Sequence, residues 1–256
     1  MRPYIVANIA SYPRRVAGLR DTLYALAPQV NEIRVFFNEY TEFPEFFYDL
    51  TNRYYKKVRF QFAWSKNDSV GDRKAAGKFF FCPIKSTYQF YVDDDLEYPS
   101  DYVQRTVTYL NQLQHQNGCP ETIASYHGVR FTELPCKSYF HSHSHFPYNT
   151  ALDQSAQVHV PGTGTTAVYV TDRLTDLLMS PQCQQDMLDN FTKVDLVLAK
   201  YLSIARIPVF AIPREKFYLK LQERFLKDTD CIYNKSLENE SSHVVFINSV
   251  NWEIIE

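Results

Sequence analysis

The sequence predicts an α/β protein: a mainly parallel central sheet with helices on both faces. Three observations lead there. Short runs rich in β-branched and aromatic residues alternate with helix-spaced segments from Tyr4 to Pro99. Each such run ends in a polar turn, at Ser11, Asn38, Ser65 and Asp93. In parallel sheets those turns share one edge, the carboxyl ends of the strands, where ligands bind.

The elements follow in order. Tyr4 to Ala10 reads as a buried strand, Ser11-Tyr-Pro-Arg-Arg15 follows as a turn, and Arg14 to Ala27 reads as a helix with Val16, Leu19, Leu23 and Leu26 on one stripe. Asn31 to Phe37 is a second strand with Ile33, Val35 and Phe37 on one face. Pro44 starts a helix within Phe43 to Tyr55, and Val58 to Ala63 is a third strand. The polar loop Ser65 to Lys78 runs into a short helix, with Gly71 free to take an unusual backbone angle. Tyr88 to Val92 is a fourth, strongly apolar strand, and Asp101 to Gln116 a helix.

Beyond it, Glu121 to Tyr126 reads as strand, Phe131 to Gln157 as a long irregular stretch, and Ala167 to Val170 as strand. Asp172 to Met179 and Lys193 to Leu202 read as helices, Ile207 to Ile212 as a late strand, and His243 to Ile247 as a final edge strand. No repeat or low-complexity linker interrupts the chain. One domain over 1–256 is expected, with its core in about 1–228 and a C-terminal extension in 229–256.

Composition excludes several classes. The formal charge of −2 carries no electrostatic footprint for nucleic acid, and no apolar run is long enough for a membrane span. The five cysteines are odd in number and form no CxxC pair, so free thiols in a reducing cytoplasm are expected, with peripheral membrane attachment left open. The oligomeric state is not legible. Aromatic residues at 16% point to broad apolar contacts and ring-stacking surfaces.

The chemistry concentrates where the fourth strand ends. Asp93, Asp94 and Asp95 arrive together, and three adjacent carboxylates raise one another's pKa. On a strand, Asp93 and Asp95 would share one face and Asp94 take the other. A divalent cation held by Asp93 and Asp95 relieves the repulsion, and hard oxygen ligands suit Mn²⁺ or Mg²⁺. A solvated acidic turn capping the next helix is the alternative. Around this point the other turns supply candidate ligand-binding groups: Ser11, Tyr12 and Arg14 after the first strand, Asn38 after the second, and Asp68, Asp72 and Lys74 in the loop after the third. There a cation could meet phosphate or ribose, and a carboxylate a base or sugar hydroxyl; an ordinary capped helix with solvated charges is equally open. Gly162, Thr163 and Gly164 form a turn where backbone can approach a ligand, without the spacing of a dinucleotide or Walker loop. His141, His143 and His145 alternate as zinc ligands on a strand would, or as part of a polar loop. Asp195 opens a late helix, where a carboxylate also serves the helix dipole.

Taken together, Ile9-Ala-Ser-Tyr-Pro-Arg-Arg15, Gly71-Asp-Arg-Lys74, Asp93-Asp-Asp95 as a DXD motif, Gly162-Thr-Gly164 and Asp195 resemble the GT-A-fold glycosyltransferases. The resemblance is to the broad family 2 group that includes capsule and surface-polysaccharide enzymes, and it runs from about Tyr4 to Tyr218. It implies a Rossmann-like GT-A fold and a hexosyl- or related transferase of the EC 2.4 class. Such an enzyme moves sugar from a nucleotide-sugar donor, typically a UDP-sugar, to a glycan or other hydroxyl acceptor. Asp93 and Asp95 would then hold the metal, Asp94 and the turn residues the donor, and Asp195 would be the catalytic base of an inverting displacement. One departure stands out: the family's usual Glu-Asp pair on the late helix is Val194-Asp195 here. A third metal ligand cannot be placed by motif. A metal-dependent nucleotidyltransferase and a non-catalytic nucleotide-sugar or glycan-binding module remain the competing readings.

Overall fold

A computed structural model describes residues 3–69, 71–227, 240–253 and 255. Its centre is an eight-stranded sheet of order β3-β2-β1-β4-β11-β6-β12-β9. The strands are β1 (Ile5–Ser11), β2 (Glu32–Phe37), β3 (Arg59–Trp64), β4 (Tyr88–Val92), β6 (Ile123–Ser125), β9 (Ala156–Val158), β11 (Thr165–Tyr169) and β12 (Val209–Ala211). β3, β2, β1 and β4 run parallel, as β6 and β12 do; β11 and β9 run against their neighbours. The sheet is therefore mainly parallel.

Both faces are covered, which is why β2 and β4 are buried at every position. On one face Ile33, Val35, Phe37, Phe90 and Ala167 pack against Leu19, Leu23 and Leu26 of α1 (Val16–Leu26), Phe47 and Leu50 of α2 (Phe46–Tyr54), and Tyr102 and Leu110 of α3 (Tyr102–Asn117). The neighbouring residues Tyr91 and Val168 point to the other face, as strand alternation requires. There they meet α4 (Asp172–Leu178), α5 (Pro181–Asp189) and α6 (Val194–Ile204).

Three expectations need correction. The stretch from Phe131 to Gln157 is not wholly irregular: β8 (His143–Phe146) pairs antiparallel with β7 (Gly128–Phe131), which also pairs with β10 (Val160–Pro161). His-Ser-His-Phe is a polar edge strand, so its apolar alternation is weak. Helix α5 was not expected; it exposes Pro181, Gln182, Gln185 and Asp189 and buries only Cys183 and Met187, four residues apart. Ser180 caps it by accepting from the Cys183 N–H at 3.3 Å, with Pro181 in its first turn. The predicted edge strand at His243 to Ile247 is a helix, Glu240–Asn248, because His243 and Ile247 are buried one helical turn apart. Four of the cysteines, Cys82, Cys119, Cys136 and Cys183, are free; Cys231 lies outside the described residues, as does most of the expected C-terminal extension.

One late segment reaches back to the acidic turn. β13 (Lys220–Leu221) pairs with β5 (Leu96–Glu97), and the Gln222 N–H donates to the Asp95 carbonyl at 2.8 Å. The Gln222 amide also donates to Gly18 O and Leu96 O, each at 3.3 Å, and Phe225 lies over Gly18. A Cβ on Gly18 would sit 2.3 Å from Asp94 O and 2.6 Å from the Phe225 ring. Gly18→Ala should thus force α1 away from the acidic turn and destabilise the protein by about 1–3 kcal/mol. Thermal unfolding checks this; an unchanged melting temperature would show that the contact yields freely.

Candidate active site

β4 ends at Val92, so the three aspartates lie in the turn beyond it, where side-chain alternation no longer fixes their directions. Their partners do. Asp93 forms an ion pair with the Lys78 ammonium. Asp95 Oδ2 accepts from Arg15 Nη1 at 2.9 Å, and the Arg15 guanidinium rests 4.1 Å above the centre of the Phe225 ring. Asp94 is buried and bonded by the Ser11 side chain, while its Oδ2 has no hydrogen-bond partner.

The glycine turn reaches the same place because β11 is antiparallel to β4. Thr165 is registered against Val92, so the residues just before β11 fall beside the residues just after β4. Tyr98 fastens the two turns: its hydroxyl accepts from the Asp93 N–H at 2.8 Å and donates to the Gly164 carbonyl at 2.7 Å. Gly164 is required by space, since a Cβ there would lie 2.0 Å from Asp93 Oδ2. Gly162 is equally confined, its missing Cβ falling 2.7 Å from His127 Cβ.

Thr163, between them, holds Asp195. Its N–H donates to Asp195 Oδ1 at 3.1 Å and its hydroxyl to the same oxygen. The Thr163 hydroxyl also lies 3.5 Å from Lys78 Nζ. Asp93 and Asp195 are therefore linked through one ammonium and one threonine.

The remaining sequence candidates take simpler positions. Ser11 is buried and its hydroxyl lies 3.3 Å from that of Tyr40. Tyr12 accepts from Arg15 Nε at 3.3 Å, and Arg14 is exposed in the same turn. Asn38 clamps the loop after β3, donating to Lys74 O at 2.9 Å and accepting from the Arg73 N–H at 3.1 Å. In that loop Asp68 pairs with Arg73, and Lys74 with both Asp72 and Glu39. Gly71 adopts φ of 81°, as its turn requires. This loop satisfies most of its own charges, whereas the Asp93–Lys78–Thr163–Asp195 group draws on four separate segments. Reading the sequence did not single out Lys78, Tyr98 or His127 and left Arg15 open between a ligand contact and a solvated charge. Only Arg15 and Lys78 carried a visible signal, as cations within turns already singled out.

Burial and neighbouring charge together set the protonation behaviour of the site. Burial, then the charge of Asp95, pushes the Asp94 carboxyl up to about 8. Burial, then the charge of Asp93, raises Asp95 to about 6 despite Arg15. Burial also raises Asp195, against the pull of the Thr163 bonds and Lys78. Burial alone would lower the Lys78 ammonium, but Asp93 outweighs it and holds it raised. His127 is lowered to about 3 by burial and then by His145, so the two rings meet as neutral imidazoles with their Nε2 atoms 3.1 Å apart.

No family model and no curated protein sequence matches the chain. Solved structures do. The crystal structure of S. aureus TarS 1-349 superposes with a TM-score of 0.51 at 10% identity, covering 98% of this chain and 67% of its own. The crystal structure of S. aureus TarS gives 0.50 at 8% identity, covering 98% of this chain and 40% of its own. TarS is a glycosyltransferase of the GT-A fold, family 2-like. The chain has a GT-A fold. A crystal structure of 4-diphosphocytidyl-2C-methyl-D-erythritol synthase reaches 0.35 at 11% identity, covering 75% of this chain and 85% of its own.

In this GT-A fold the acidic turn, the glycine turn and Asp195 occupy the carboxyl edge of the sheet. An open hollow of about 520 Å³ at Tyr88, Gln114 and Tyr169 lies at the opposite end of β4 and takes no part. Among the described residues no three His, Cys, Asp or Glu side chains form a complete metal cage, the alternating histidines included. Two carboxylates suffice for Mn²⁺ or Mg²⁺ when substrate phosphates supply the other ligands. The donor chemistry fits: Asp93, Asp94, Asp95 and Asp195 outnumber the nearby cations Lys78 and Arg15, and the buried Asp94 Oδ2 has no hydrogen-bond partner.

These shifts set a pH dependence. An unfolded aspartate titrates near 3.9, so between that value and its raised folded pKa the native state binds more protons. Stability must then fall as pH rises through this window, up to about 8 for Asp94 and about 6 for Asp95. The metal-free protein should lose melting temperature from about pH 5 to 8, and Asp94→Asn should flatten that slope. An unchanged slope in the variant would contradict the assignment to Asp94.

Proposed function

We propose that the chain is a glycosyltransferase that moves a sugar from a nucleotide-sugar donor, a UDP-sugar foremost, to a hydroxyl of a glycan or other acceptor, with inversion. One observation carries the reading: the donor-side carboxylate Asp93 and the helix-borne carboxylate Asp195 are joined across Lys78 and Thr163 at the ligand-binding edge of a GT-A sheet.

When bound, a Mn²⁺ or Mg²⁺ ion at Asp93 and Asp95 supplies the positive charge that a departing nucleoside diphosphate requires. The chain's own residues do the rest. Thr163 fixes the Asp195 carboxylate through two bonds to Oδ1, which leaves Oδ2 to accept the proton of the attacking acceptor hydroxyl. Burial makes Asp195 a stronger proton acceptor than an exposed aspartate, while Lys78 favours its ionised form. Gly162 and Gly164 let backbone approach the acceptor side, and the Ser11 and Asp68–Lys74 turns offer hydroxyl, carboxylate and cationic groups for the nucleotide. Attack and departure in one in-line displacement invert the anomeric centre.

The assay is a panel of nucleotide sugars and glycan acceptors with Mn²⁺, reading nucleoside diphosphate release and product stereochemistry. Asp195→Asn should lower turnover about 10²–10⁴-fold with donor affinity nearly intact. A helix-start carboxylate without a catalytic role predicts near-normal turnover and a stability loss of about 0.3–1 kcal/mol. Asp95→Asn should sharply weaken Mn²⁺-dependent UDP binding and Asp94→Asn much less. Equal UDP affinity for wild type and Asp95→Asn, or formation of nucleotide sugar from a nucleoside triphosphate, would overturn the reading.

A further inference from the structure

We propose that Lys78 is a resident cation of the active centre: its ammonium occupies the carboxylate of Asp93 and competes there with the divalent metal. The inference rests on the metal-dependent reading above and adds to it a residue and a coupling between metal and diphosphate.

Lys78 is 3% exposed, at the end of the 3-10 turn Lys74–Phe79, where Gly77 packs against Phe36. A lysine this buried persists only when its charge is compensated. Compensation comes first from Asp93, then from the charges of Asp195 and Asp94, with the Thr163 hydroxyl alongside at 3.5 Å. Of the two Asp93 oxygens, Oδ1 is held by Lys78 and Oδ2 is packed against Gly164. The Asp93 side chain is nevertheless 42% exposed, so an ion from solvent can reach the carboxylate but meets a fixed positive charge on it. Two cations on one carboxylate repel each other at a distance where the interior screens poorly. An incoming nucleoside diphosphate changes this balance, since its phosphates give both cations further negative charge. Metal alone should therefore bind weakly, and metal with diphosphate tightly; by linkage each ligand raises the affinity of the other.

The experiment is calorimetric titration of Mn²⁺ alone into wild type and Lys78→Met, a substitution that keeps length and removes charge. The variant should bind Mn²⁺ about tenfold more tightly or better, and adding Asp93→Asn should abolish the gain. A purely structural role for Lys78 predicts the reverse, because a loosened Asp93 would bind metal less well. Equal or weaker binding by Lys78→Met, where wild type binds, overturns this inference and leaves the metal site standing. Binding by the variant alone supports it. Binding of Mn²⁺ alone by neither protein overturns this inference, and the metal-dependent reading falls with it only if both proteins also fail to bind Mn²⁺ in the presence of UDP. Lys78→Gln with melting curves on all variants provides the second substitution should Lys78→Met fold poorly.

Discussion

Charge balance at the end of one buried strand governs this molecule. Asp94 is buried there among the partly exposed Asp93, Asp95 and Asp195, and Lys78 and Arg15 answer only part of their charge. An uncompensated buried carboxylate is costly, so each has acquired a specific device. Lys78 serves Asp93, Arg15 serves Asp95, Ser11 serves Asp94, and Thr163 serves Asp195. What remains unbalanced is the property a metal-bound diphosphate site needs: negative oxygen donors held in place with their repulsion unrelieved.

The topology supplies that placement. β11 enters the sheet antiparallel between β4 and β6, which turns the start of one strand toward the end of another. Gly162–Gly164 thereby meets Asp93, and the packing of α6 on the same face carries Asp195 within reach of Thr163. Tyr98 and Gln222 lock the arrangement from two sides, one through hydroxyl bonds to both turns and the other through bonds to the backbone of Asp95 and Leu96. Neither touches the carboxylate oxygens. Their part is to keep a strained group of like charges from drifting apart.

Much of this was legible in the sequence where local pattern and packing agree. The strand at Tyr88–Val92 matches its apolar run, and Ile33, Val35 and Phe37 face one core as their spacing predicts. Legibility fails where one partner lies far along the chain. The polar strand His143–Phe146 is held by pairing with Gly128–Phe131 rather than by its own alternation. Val244, Val245 and Phe246 suggest strand, yet burial of His243 and Ile247 makes the segment helical. The acidic turn stands out in sequence because three carboxylates follow an apolar strand. Tyr98 does not, and Lys78 shows only as a cation in a polar loop, because their importance comes from β-sheet register: neither has its role until β11 brings Gly162–Gly164 alongside.

The most direct test of the whole account is diffraction from crystals soaked with UDP and Mn²⁺, using the anomalous signal of manganese. The account predicts a single manganese peak bonded to oxygens of Asp93 or Asp95 and of the diphosphate, with the terminal phosphate facing the Asp195 carboxylate. Manganese and nucleotide bound elsewhere on the molecule, with the diphosphate out of reach of the acidic turn and Asp195, would contradict it.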